Sequence, residues 1–269
     1  MAGGRVPILT ISCKPLSLTK LAIGLSVAFV SALSLSGSLC ADALPGYVQK
    51  ADDYWLGRQN ADNVRSAIAV LLDGTSKNPA DYEAWWRLSR LDSFLARHTS
   101  GREKDRAFSD GISAGKRAVA LQPNRVEGHF WLGANQGLLA EEGGLLEGLR
   151  LVETVRKEME TVVKLNPDYE EGSGFRSLGR VYYRAPFFKG GDKRRSIQLL
   201  EDCLKKYPDN SLTMLYLADS YIGVGRRAEA RELLQRILRL CPNPDYGPEL
   251  ADNQTQAQHL LQREFRAGK

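Results

Sequence analysis

The chain is poor in the residues that catalysis and metal binding draw on. Its 269 residues include three histidines, His98, His129 and His259, well separated along the sequence. None has a partner at metal-ligand spacing, and no H-E-x-x-H, G-x-S-x-G or phosphate-loop motif occurs. His129 follows Glu127, but residues two apart do not share a helix face. Glu141-Glu142 is a short acidic pair of the kind more often solvated than catalytic. A nucleophile, a base and an orienting group are not brought together, so a non-enzymatic protein without cofactor or metal is expected. Excess charge is also scarce. The net charge is +5, and the first 43 residues hold Arg5, Lys14 and Lys20 against Asp42, which leaves +3 on the rest. A charge this small and scattered excludes the clustered basic footprint of a nucleic-acid binder.

Long apolar stretches are scarce too. The notable one, Leu21 to Leu35, follows Lys14 and Lys20 and precedes Ala41-Asp42-Ala43. A basic start, an apolar middle and an A-x-A end read as a secretory signal cleaved after Ala43. The other reading, a retained anchor, asks for about 20 apolar residues, more than this run supplies. Cys40 invites lipidation, but Leu39 stands where a lipobox wants Gly, Ala or Ser, so anchoring at Cys40 is not expected. The expected organisation is residues 1–43 as signal peptide and 44–269 as an exported, periplasmic domain.

Of four cysteines, Cys13 and Cys40 fall before that cleavage point. An oxidising compartment permits a bridge between Cys203 and Cys241. The alternative is two buried small hydrophobes.

What the chain does have is a repeat. Helical blocks close on Pro79, Pro123, Pro167, Pro208 and Pro242, at intervals of 44, 44, 41 and 34. A tetratricopeptide unit, a helix–turn–helix, is about 34 residues long. The last block, Ser211 to Ile237, follows that pattern, with Ala218 small, Tyr221 aromatic, Gly225 at the turn and Ala230, Leu234 and Ile237 along the second helix. Leu132-Gly133 and Leu178-Gly179-Arg180-Val181-Tyr182 repeat the first-helix signature, and Trp85-Trp86-Arg87-Leu88 is a looser version. A small residue lets paired helices approach closely, and apolar residues at i, i+3, i+4 and i+7 fill the groove. Each pair then buries its remaining edge only by stacking on the next. The expected fold is an all-α, tetratricopeptide-like α-solenoid. The stretch Glu249 to Phe265, with Leu260, Leu261 and Phe265 on one side, reads as a C-terminal capping helix.

Three stretches exceed the plain repeat: Arg97 to Lys104, the glycine-rich Gln136 to Gly148, and Arg184 to Lys193 with Pro186, Phe187, Phe188, Gly190 and Gly191. They are expected to be insertions, with Asp192 capping a helix that begins near Lys193.

His129-Phe130-Trp131-Leu132-Gly133-Ala134-Asn135, Asn166-Pro167-Asp168-Tyr169, Phe175 to Tyr182 and Pro186…Gly190-Gly191-Asp192 together resemble the T component of TRAP-associated tetratricopeptide transporters, TatT. The resemblance runs from about Arg125 to Leu238. It implies a periplasmic helical solenoid with a hydrophobic pore or groove. It also implies a substrate-binding protein as partner and a small, amphiphilic acidic ligand. Members of that family are often lipoproteins, and the Leu39-Cys40 pair departs from this.

In a tetratricopeptide array the first helix of each pair lines the concave face. Counting from the small residue of each unit, the inward positions are Trp86, Arg90 and Phe94; Phe130 and Leu138; Arg176, Arg180 and Tyr183; Leu215 and Asp219. Aromatic rings with arginines suit an amphiphilic anion. Packing of several of them between helices, with only the arginines reaching solvent, is equally open. Phe187 and Phe188 are read as a lid over the groove or as a partner-binding patch, with core packing of at least one of them equally open. The competing function is a cell-envelope scaffold whose concave face receives a protein segment. Self-association is left open.

Overall fold

The computed structural model describes residues 44–243 and 245–265; the expected signal segment, with Cys40, lies outside them. The described residues are helical throughout, without strands. Five antiparallel pairs follow one another: α1 Gly46–Leu56 with α2 Ala61–Lys77, α3 Tyr82–His98 with α4 Gly101–Leu121, α5 Val126–Glu142 with α6 Gly144–Leu165, α7 Ser173–Arg184 with α8 Lys193–Lys206, and α9 Ser211–Ile222 with α10 Arg227–Ile237. A last helix, α11 Gly247–Phe265, packs on α9 and α10. The architecture is the expected tetratricopeptide-like α-solenoid with a capping helix.

Local chemistry sets the boundaries. Asn60, Asp81, Asp192 and Asn210 each accept hydrogen bonds from backbone amides in the first turn of the helix that follows, filling donors that have no partner within the helix. At the other end, Asn78, Gln122, Asn166 and Tyr207 close α2, α4, α6 and α8, and a proline follows each. Proline cannot continue the ladder and restricts the residue before it.

Close approach within pairs rests on the small residues. A Cβ on Gly133 would sit 2.3 Å from Met159 Cε, and one on Gly179 would sit 2.6 Å from Leu200 Cγ. Met159, Leu200 and Ala218 are fully buried. The buried clusters are all built from residues 47–265, so the unit 44–269 carries its own core. No helix of the described residues is long and apolar enough to cross a membrane. Cys203 is a free, buried thiol, so it is not bridged to Cys241.

Two of the three expected insertions lie at the ends of helices rather than in loops between them. Arg97 to Lys104 is interrupted only at Thr99–Ser100, and Gln136 to Gly148 only at Gly143. The extra residues lengthen helices: α4 runs 21 residues and α6 runs 22. Glycine marks a turn only where the backbone needs it, and Gly137 and Gly148 lie inside helices. The third stretch is a true loop. It holds a 3-10 turn, Phe187–Lys189, closed by Gly190 at φ +77°, and Asp192 then caps α8 through Arg194 N and Arg195 N. Only glycine takes that left-handed φ without strain.

The array also closes on itself. Arg58, in the turn after α1, donates from Nε and Nη2 to Glu249 at 2.8 and 2.7 Å, and to the Asp245 carbonyl. His98 Nε2 meets Asp252 at 2.9 Å, and Tyr246 donates to Glu170 at 2.8 Å. The chain before and within α11 is thereby tied to the first two helix pairs and to the turn between α6 and α7.

Candidate functional site: the central cavity

The curl shapes a half-open cavity of about 1220 Å³ walled by residues of both ends and the middle of the array. Trp55, Phe130 and Trp131 supply aromatic wall; Leu138, Val152 and Val155 supply aliphatic wall. Phe130 packs edge-on to Trp131 and Tyr169, with ring centres 4.8 and 5.3 Å apart. The volume exceeds the usual range of small-ligand pockets, roughly 300–1,000 Å³.

The basic residues of the wall are not equivalent. Arg90 lies with its guanidinium carbon 4.2 Å from the Trp55 ring centre and 5.0 Å from that of Trp86. Nη2 donates to Asp52 at 2.9 Å, and Nε has no acceptor. Asp52 is shared, because Arg87 donates to it as well. Burial pushes the Arg90 guanidinium down to about 10, against the pull of Asp52, so it stays cationic at neutral pH. Arg87 has a second carboxylate, Glu83 at 2.6 Å from Nη1, so what sets Arg90 apart among the described residues is a shared Asp52 as its one ion-pair partner and an Nε without an acceptor.

Arg180 is also buried, which works against its charge. Glu141 at 2.7 Å and Asp219 at 2.6 Å nevertheless hold its guanidinium above the ordinary value. Arg176 donates both terminal nitrogens to the carbonyls of Glu171 and Glu170. Those two residues have φ of 55° and 46°, a conformation that side-chain-bearing residues rarely adopt. Arg176 therefore buttresses the turn into α7.

Of the sequence-predicted residues, Arg90, Phe130, Leu138, Arg176 and Arg180 reach the cavity wall. Trp86 lies behind the wall, its indole donating to Glu83 at 2.8 Å. Phe94 is buried, edge-on to Trp55 and stacked 4.0 Å from the His98 ring. Tyr183 lies against Gly223, Asp219 serves Arg180, and Leu215 is core. An α-helix turns 100° per residue, so a stripe drawn from one small residue drifts off the concave face over a helix this long. Phe187 and Phe188 neither cover the cavity nor pack in the core, since both project into solvent; Ala185 and Pro186 before them line the cavity. Sequence reasoning missed Trp55, Arg58, Trp131 and Tyr246. The first helix pair carries the weakest repeat signal, and a ring contact has no periodicity to announce it.

His98 and His129 are structural. His129 Nδ1 meets Glu158 at 2.6 Å and Nε2 meets the Pro123 carbonyl at 2.8 Å. His98 faces Phe94 O and Asp252 in the same way. Two acceptors call for both N–H groups, which fits the raised pKa of each ring. Among the described residues no group of His, Cys, Asp or Glu is arranged to hold a metal.

The family model described as Regulator of microtubule dynamics protein 1-3 matches residues 47–185, and a tetratricopeptide repeat model matches residues 188–252. No curated protein gives a significant match. Among solved structures, a thermophilic TPR protein of Thermus thermophilus is 19% identical and covers 79% of this chain and 100% of its own, with a TM-score of 0.58. PilW, a widely conserved type IV pilus biogenesis factor, is 16% identical over 83% of this chain and 94% of its own, at 0.52. The pilF protein of Pseudomonas aeruginosa is 15% identical over 83% and 96%, at 0.51. At these identities the likeness is one of fold.

Proposed function

Because the chain belongs to the Regulator of microtubule dynamics protein 1-3 family and to the tetratricopeptide superfamily, we propose that it is a non-enzymatic binding protein holding an amphiphilic anion in its central cavity. Arg90 carries this reading: a largely buried cation with an unused Nε donor and a carboxylate it shares with Arg87, set in an aromatic wall. Buried charge without full pairing is costly, and an anionic headgroup completes it. Trp55, Phe130 and the aliphatic wall take the ligand's apolar part. The Arg58–Glu249 bridge between the two ends of the array favours a ligand held in the half-open cavity over a long peptide running through an open groove. The test is thermal shift with a long-chain carboxylate and the uncharged alcohol of equal length. The carboxylate should stabilise the wild type more than the alcohol, and Arg90→Met should erase the difference, since a ligand of the folded form raises stability by mass action. Equal shifts in both proteins would dismiss Arg90.

The setting is part of the same proposal. The N-terminal pattern supports export to the periplasm, where cleavage after Ala43 leaves Leu44 as the first residue. N-terminal sequencing of exported protein should begin there, and a mature chain that retains Lys20 contradicts it. The Pro186…Asp192 loop supports a place beside a TRAP-type uptake system, handing its ligand to or from a substrate-binding protein. The partner's chemistry is that of a soluble carrier of the same anion. A gene neighbourhood without transporter subunits would count against this.

A further inference from the structure

In an array of antiparallel pairs, all five turns that join the two helices of a pair lie on one edge. The large exposed hydrophobic side chains concentrate there. Phe187 is 92% exposed and Phe188 75%, in the α7–α8 turn; Leu145 is 75% and Leu146 82%, at the α5–α6 turn. Leu56 and Val224, at two more of these turns, are exposed as well. Isolated exposed leucines are ordinary, but adjacent pairs repeated along one edge mark an interaction surface.

The charge around them is uneven in a telling way. The α7–α8 loop carries Arg184, Lys189, Lys193, Arg194 and Arg195 against Asp192 alone, and Asp192 is occupied as the cap of α8. None of the five cations is in an ion pair among the described residues, and all but Lys189 are exposed. The acids near Leu145 and Leu146 are neutralised instead: Glu141 by Arg180, Glu142 by Lys104, Glu147 by Arg150. The phenyl rings are carried rigidly. Lys189 O accepts from Arg156, Gly191 N donates to Pro186 O and Asp192 N donates to Tyr182 O.

We propose that this edge docks on an anionic lipid bilayer, Phe187 and Phe188 entering the headgroup–acyl boundary while the loop cations meet lipid phosphates. Two bare rings on a stiff, narrow turn ringed by unpaired Lys and Arg suit a soft anionic interface. A protein interface core is instead depleted of lysine and needs a broad packed surface around its anchors. Ala185 and Pro186 belong to the same turn and line the cavity, so the docked edge would bring the cavity beside the lipid. The surface is separate from the anion site at Arg90, and either proposal stands without the other.

The experiment uses residues 44–269, which carry their own core, so that the apolar leader does not bind lipid on its own account. Co-sedimentation is measured with neutral phosphatidylcholine vesicles and with vesicles containing about 30 mol % phosphatidylglycerol. Wild type should bind the anionic vesicles at least about tenfold better, and salt should weaken the binding. F187S/F188S and K189E/R194E should each lose about tenfold or more with unchanged melting temperatures, because among the described residues none of these side chains makes a hydrogen bond or ion pair that the change would remove. Binding equal in wild type and F187S/F188S overturns the proposal. So does no binding to either vesicle, or capture of a soluble protein through Phe187 and Phe188 without vesicle binding.

Discussion

At the scale of residues, identity was easier to foresee than partnership. Arg176 and Arg180 are four apart on α7 and both reach the cavity wall, as the spacing implies. Their neighbours divide them: Arg180 meets two carboxylates from other helices, and Arg176 turns back to the carbonyls of Glu170 and Glu171. Neither partnership has a sequence signal, because each depends on how pairs stack. Arg90 has the opposite history, an ordinary position in the repeat that stacking leaves with a shared carboxylate and an Nε without an acceptor. Glycine positions were more legible, since contact within a pair is local. Gly179 faces Leu200 with no space for even a methyl group. Gly179→Leu should therefore overpack α7 against α8 and destabilise the protein by roughly 1–3 kcal/mol. The midpoint of urea unfolding reads this, and an unchanged midpoint would mean that the two helices do not pair as described.

At the scale of elements, the proline after each second helix made the pairs readable, and side-chain caps fix the starts of α2, α3, α8 and α9. The surplus over a plain repeat was harder. Extra residues that keep helical periodicity and lack a breaker lengthen a helix, as in α4 and α6. Only Pro186 with Gly190 and Gly191 forces a loop. The function of α11 went further than a cap. Besides covering α9 and α10 through Leu260, Leu261 and Phe265, it reaches His98 through Asp252. The hydrogen bond to Asp252 raises the His98 pKa, with burial opposing and the Phe94 carbonyl adding to the rise. A folded pKa above the unfolded value, about 6.5, means that the contact stabilises fully below that pH and is lost as pH rises through the raised value. The stability gap between wild type and His98→Gln should be largest in mild acid and shrink as the solution turns alkaline. Denaturant melts of the two proteins across pH check this, and a gap that widens with rising pH would reverse the assignment.

At the scale of the molecule, the solenoid was legible and its closure was not. Repeats specify each pair against the next, and nothing in a period says how far the stack curls. Arg58 and Glu249 are 191 positions apart, yet their paired hydrogen bonds help shut the array. Closure is what turns a concave face into a cavity with Arg90 in its wall. The central claim, an amphiphilic anion held there, is tested most directly by titrating a fluorescent long-chain carboxylate into residues 44–269 and three variants. Gly137 lines the cavity, and a Cβ there meets only Val155, at 3.7 Å, so Gly137→Phe fills the space. Arg90→Met removes the charge, and Arg176→Ala removes a buttress. Wild type should bind one equivalent. Gly137→Phe and Arg90→Met should each weaken binding by about tenfold or more, which corresponds to about 1.4 kcal/mol. Arg176→Ala should lower the melting temperature while leaving affinity at moderate temperature nearly unchanged. Undiminished binding in both Gly137→Phe and Arg90→Met would contradict the account.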